Sequence, residues 1–124
     1  RKSFPALSVT CKGKADIWVK DGFLYHQETR IIDLNLCETL KGTHNYQNAA
    51  MAFAVGYLLK IPTEIITQAL LTFPGLAHRQ EIVGRYQDIV FVNDSKATNA
   101  DAASYALESY KEHPIYWIVG GLPK

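Results

Sequence analysis

The chain has 124 residues, room for one domain or parts of two, and its 48% hydrophobic and 20% charged content is ordinary for a globular protein. A net charge of +1 gives no basic field for nucleic acid and no acidic tail, and no apolar run is long enough to span a bilayer. Cys11 and Cys37 stand outside any CxxC or Cys/His ligand spacing, so no metal ligands are assigned and reduced thiols in a cytoplasmic protein are expected.

The first forty residues read as β-rich. Ala15–Lys20 and Phe23–His26 flank Asp21-Gly22, and both residues of such a turn tolerate positive φ, so a hairpin is predicted. Arg30–Leu36 alternates well enough for a further strand, completing a β-meander. Trp18 and His26 read as strand side chains rather than site residues.

The pattern then changes to helix. Gly42-Thr43-His44-Asn45-Tyr46-Gln47-Asn48 leads into an alanine-rich stretch that runs to Leu59. It is apolar nearly all round, which predicts a buried helix with its polar groups gathered at its start. Asn45 and Asn48 are three apart and share a face, which suits a purine edge or a ribose; the plainer reading is that Thr43 or Asn45 caps the helix. Lys60-Ile61-Pro62-Thr63 breaks the run. Ile66, Ala69, Leu70 and Phe73 then form an amphipathic stripe, so a second helix over Glu64–Thr72 should pair with the first.

Pro74-Gly75 marks the expected domain boundary, with His78 and Arg79 on the linker beyond it. A charged pair there can reach into a cleft or stand in solvent. Ile82–Tyr86 and Ile89–Val92 read as strands, Ala100–Tyr110 as a helix with Ala103, Ala106, Leu107 and Tyr110 on one face, and Ile115–Val119 as a strand buried on both faces. Strand, helix and strand of these lengths predict a right-handed βαβ unit.

The densest chemistry is Asn93-Asp94-Ser95-Lys96-Ala97-Thr98-Asn99, where a strand gives way to a helix. Ligands of open α/β sheets bind at such places, and a helix start favours anions. Thr98 and Asp101 fit a capping box. The βαβ reading brings Asp94, Lys96, Thr98 and Lys124 together at the carboxyl ends of neighbouring parallel strands. The alternative is an ordinary polar loop with an ordinary cap.

Four motifs in order then carry a resemblance. They are Gly42-x-His44-Asn45-x-x-Asn48-Ala49, Phe73-x-Gly75-Leu76-x-His78-Arg79-x-Glu81, the Asn93–Asn99 stretch, and Gly120-Gly121-x-x-Lys124. Together they resemble the Mur ligase family over roughly the last two thirds of the chain, and Asp94-Ser95-Lys96-Ala97-Thr98-Asn99 is the most specific part. The resemblance implies an α/β chain: residues 1–75 as the end of the central ATPase domain (β-meander plus helix pair), residues 76–124 as the start of a Rossmann-like C-terminal domain. It implies an ATP-dependent amide ligase of peptidoglycan precursor synthesis. Such a ligase forms an acyl phosphate, uses Mg²⁺, and joins D-glutamate to UDP-N-acetylmuramoyl-L-alanine.

By the same resemblance Asn45 and Asn48 lie near adenine, Arg79 meets phosphate and Asp94 the ribose. Thr98 and Lys124 hold the D-glutamate carboxylate, Lys96 supports phosphate or the amino acid, and His78 is a catalytic helper. No G-x-x-x-x-G-K-[ST] loop occurs in the sequence. That loop, the family's modified lysine and its Mg²⁺ ligands would lie upstream of Arg1. A fragment of a longer enzyme, inactive alone, is therefore expected. The competing readings are a superfamily ligase for another amino acid and a stand-alone nucleotide-binding or scaffold module.

Overall fold

The computed structural model describes residues 6–121; the expected Lys124 lies outside them. The fold is mixed α/β, with two sheets and three helices among the described residues.

The first sheet has four strands in sequence order: β1 (Val9–Thr10), β2 (Ile17–Lys20), β3 (Phe23–His26) and β4 (Thr29–Asp33). The Asp21-Gly22 hairpin forms as its sequence predicts, with φ of 51° and 80° at the two turn residues. Trp18 sits opposite Tyr25 in the register, and their rings stack at 4.3 Å. The indole Nε1–H donates to the Gln27 carbonyl at 2.7 Å, which settles the polar edge of a buried ring. Both Trp18 and His26 are strand side chains, as expected.

Two details depart from the sequence reading. The two-residue β1 pairs parallel to β2 and is too short to leave a periodic signal. The third strand stops at Asp33 rather than Leu36: the Asp33 carboxylate accepts from Asn35 N–H and turns Leu34–Leu36 into a single 3-10 turn. A side chain that offers the backbone a local acceptor competes with the strand ladder.

Helix α1 (Thr43–Leu58) lies on this sheet and α2 (Thr63–Leu71) packs on α1. Ile17, Leu24, Leu34 and Phe53 are completely buried between them, with Ala49, Ala50 and Ala54 on the inner side of α1. The expectation that α1 is buried all round is corrected: Met51, Val55 and Leu58 are exposed. One sheet covers one face of a helix, whatever the composition of the other face. In α2, Ile66 and Leu70 are buried as the stripe predicts, whereas Ala69 stays exposed, as does Phe73 just beyond the helix.

Neither Thr43 nor Asn45 caps α1. The cap is Gly42, at φ 91°, with no side-chain hydrogen bond. A Cβ at Gly42 would meet Ser109 Oγ at 2.5 Å, so the glycine admits both the left-handed backbone and a close neighbour. That neighbour belongs to α3 (Ala100–Ser109), which is thereby held near the start of α1.

The second sheet is the hairpin of β5 (Glu81–Tyr86) and β6 (Ile89–Asn93), antiparallel around Gln87 at φ 51°. Helix α3 follows, with Ala103, Ala106, Leu107 and Tyr110 half-buried on one face. The predicted βαβ unit does not form among the described residues. Residues 115–119 have no strand partner, and Tyr116 and Ile118 are almost fully exposed, at 95% and 98%. A strand buried on both faces needs a ladder neighbour and two covering layers. Here β6 pairs only with β5, and nothing among the described residues covers the run.

Candidate functional site

Residues 76–80 make a tight crossing from the helix pair into β5. Leu76 and Arg79 form an isolated bridge, and Arg79 N–H donates to the Leu76 carbonyl at 3.1 Å. His78 and Gln80 have φ of 64° and 46°, left-handed values uncommon for residues with a Cβ. Such a backbone persists only where its surroundings hold it.

The loop after β6 supplies the hold. Lys96 N–H donates to the His78 carbonyl at 3.0 Å, and Gln80 N–H donates to Asp94 Oδ1 at 3.0 Å. Asn93 Nδ2 meets His78 Nδ1 at 2.9 Å, and His78 N–H donates to Glu81 Oε2 at 2.8 Å. The crossing and the Asn93–Thr98 loop are thus laced into one clip. His78, Arg79, Asp94 and Lys96, picked out separately in the sequence, come together on it. Each of the four except Asp94, which is half-buried, is exposed.

The start of α1 meets this clip. His44 Nε2 lies 3.2 Å from Gln80 Nε2, and its ring centroid is 5.3 Å from that of Tyr105 on α3. Burial lowers the His44 pKa from its ordinary value; Asp94 opposes the shift and Arg79 adds to it. Asn45 is turned inward, donating from Nδ2 to the Lys41 carbonyl at 2.9 Å, while Asn48 is exposed on the helix.

The capping-box expectation is corrected: Asn99, not Thr98, caps α3, its Oδ1 accepting from Ala102 N–H at 2.8 Å. Thr98 is left exposed just before the helix, its hydroxyl free of the capping duty. The expected meeting of parallel strand ends does not form among the described residues, because no strand forms at 115–119 to run beside β6, and Lys124 lies outside them.

A cleft of 340 Å³ opens beside the crossing, lined by Glu38, Pro74, Arg79, Gln80, Glu81 and Arg85 among others. A wider one of 660 Å³ runs along the first hairpin, past Lys14, Trp18, Asn35 and Tyr46, and holds none of the expected site residues. Chemistry rather than size favours the smaller cleft, because it carries Arg79 and adjoins Asp94 through Gln80. Gln80, Asn93 and Tyr105 were not picked out as site residues. Gln80 and Asn93 had a signal in their neighbours, being next to Arg79 and Asp94; Tyr105 had none.

No family model matches the chain. Curated relatives do. A UDP-N-acetylmuramoylalanine--D-glutamate ligase from Phenylobacterium zucineum is 44% identical over 128 residues, all of this chain and 27% of the relative. One of the same name from Agrobacterium fabrum is 53% identical over 94 residues, 76% of this chain and 20% of the relative. Another from Rhizobium johnstonii is 48% identical over 117 residues, 86% of this chain and 24% of the relative. The chain matches a segment of the D-glutamate-adding Mur ligases. It spans about a quarter of the length of the relatives it matches.

Proposed function

We propose that this chain works as part of an ATP-dependent ligase of peptidoglycan precursor synthesis, joining D-glutamate to UDP-N-acetylmuramoyl-L-alanine. The observation that carries the reading is the 44% identity to a ligase of that name along the whole chain. In such a reaction the substrate carboxylate takes the terminal phosphoryl group of ATP. The D-glutamate amine then attacks the acyl phosphate, the new amide forms, and inorganic phosphate leaves. Residues 1–75 would close the central ATP-binding domain and residues 76–124 would open the C-terminal domain, with the clip as their joint.

The local chemistry supports named roles. Phosphoryl transfer depends on positioning and on cations placed where charge develops. Arg79 offers a guanidinium suited to a bidentate phosphate contact, and Lys96, whose backbone N–H is bonded to the His78 carbonyl, an exposed ammonium on the same clip. Asp94 spends Oδ1 on Gln80 N–H, which leaves Oδ2 as an acceptor for a ribose hydroxyl. Asn45 and Asn48 would lie on the adenine side. Thr98, at the anion-favouring start of α3, would hold the D-glutamate carboxylate together with Lys124. His78 would assist the anionic groups at the clip.

By the same proposal the ligands of the Mg²⁺ that ATP brings lie upstream of Arg1; among the described residues no three His, Cys, Asp or Glu side chains gather to hold a metal ion. No helix among them is long and apolar enough to cross a membrane, and a cytoplasmic setting is part of the same proposal.

Steady-state kinetics of the parent ligase test the roles. Lys124→Ala should raise the KM for D-glutamate roughly ten- to a hundredfold with little change for ATP, the scale of one charge-assisted bond of about 1.5–3 kcal/mol. Arg79→Ala should act chiefly on ATP. Equal losses for both substrates in each variant would contradict the division of labour.

A further inference from the structure

The hydrogen bonds at the clip define the protonation of one imidazole. Ser95 N–H, a backbone donor with no alternative role, points at Asn93 Oδ1 from 3.1 Å. That bond fixes which end of the Asn93 amide is oxygen. The other end, facing His78 Nδ1 at 2.9 Å, is therefore the NH₂ group, and an NH₂ group can only donate. His78 Nδ1 must accept. The neutral ring then carries its proton on Nε2, which meets no hydrogen-bond partner among the described residues, and the side chain is 56% exposed.

Glu81 is the other polar group beside the ring. Its Oε2 is 3.8 Å from Nδ1, too far for a hydrogen bond, and already accepts His78 N–H at 2.8 Å. It does not compete for a proton on Nδ1.

We infer that Asn93 is a positioning residue that sets the tautomer of His78, leaving its Nε2–H as an exposed donor on the clip. The carboxylate of an Asp would keep the bond from Ser95 but would accept where the amide donates. Asn93 is thus required as an amide, and not only as a turn former. The use of that donor for a phosphate-type anion rests on the nucleotide reading above; the tautomer does not.

Nitrogen-15 spectra of the His78 ring in the full chain, recorded well above the imidazole titration, test it. In the unsubstituted protein, Nδ1 should show the resonance of an unprotonated ring nitrogen, and the Nδ1–H form should fall below its share in the free histidine side chain. Asn93→Asp should move the proton to Nδ1. Asn93→Ala, which keeps no partner for Nδ1, should return the ring to the free mixture and serves if the Asp variant does not fold. The same tautomer population in the unsubstituted protein and in either variant would overturn the inference.

Inorganic phosphate added to the same samples separates the two ideas. A shift at Nε2 in the unsubstituted protein that is lost in Asn93→Asp supports both. Tautomer inversion with no response to phosphate upholds the role of Asn93 and removes the anion contact from His78.

Discussion

His44 ties the two halves of the joint with a single ring. It reaches from α1 to Gln80 on the crossing and to Tyr105 on α3. Burial is the main cause of its lowered pKa. The neutral ring is therefore the form that fits, and protonation would work against burial. With a folded pKa below the ordinary 6.5, the stability tied to His44 is present above that value. It is lost as pH falls from there through the folded pKa, because the unfolded chain takes up the proton first. The melting temperature should accordingly drop more on acidification from about pH 7 to about pH 5.5 for the native protein than for His44→Gln, which stays neutral throughout. Parallel pH profiles for the two proteins would contradict this. His78, Arg79, Asp94 and Lys96 were legible in the sequence because strand-to-helix loops and Pro-Gly crossings announce themselves locally. Tyr105 was not, because its meeting with His44 joins residues about half the chain's length apart in sequence.

At the scale of elements, the contact of α1 with α2 turns on Gly56 and Ile66. A Cβ at Gly56 would stand 2.8 Å from Ile66 Cδ1 and 3.0 Å from its Cγ1. Gly56→Ala gains about 1 kcal/mol of helix propensity, while overpacking costs about 1–3 kcal/mol. A net loss of up to about 2 kcal/mol follows from those two ranges. Ile66→Val removes Cδ1, so urea unfolding of the double variant should show less than the sum of the single losses. Strict additivity would mean that the two positions do not press on each other. The first hairpin, both helices of the pair, strands β5 and β6 and helix α3 were legible because period and turn chemistry are local. The absence of a strand at residues 115–119 was not, because an apolar run records a demand for burial and cannot name the partner that meets it. The same holds for the outer face of α1, whose apolar residues have no cover among the described residues.

Across the whole molecule, packing is uneven. Among the described residues the buried apolar side chains all fall between Ile17 and Leu70, while β5, β6 and α3 contribute none. Amides of β2, β3 and α1 should therefore exchange with solvent hydrogen far more slowly than those of β6 and α3. Uniform protection along the chain would contradict that division. Val83, Tyr86 and Phe91 are exposed apolar side chains on a two-stranded sheet, and Trp117 and Ile118 are exposed further along the chain, a setting prone to self-association. Sedimentation of the isolated chain should show concentration-dependent association, and a monomer at all concentrations would count against it. The uneven packing agrees with the proposal above that this chain, which spans about a quarter of its relatives' length, works as part of a longer ligase.

That central claim is tested most directly by phosphate release in the presence of ATP, Mg²⁺, UDP-N-acetylmuramoyl-L-alanine and a panel of amino acids. The parent ligase should release phosphate with D-glutamate and not with L-glutamate or other acids, and the 124-residue chain alone should release none. Preference of the parent for another amino acid, or D-glutamate-dependent release by the isolated chain, would contradict the account.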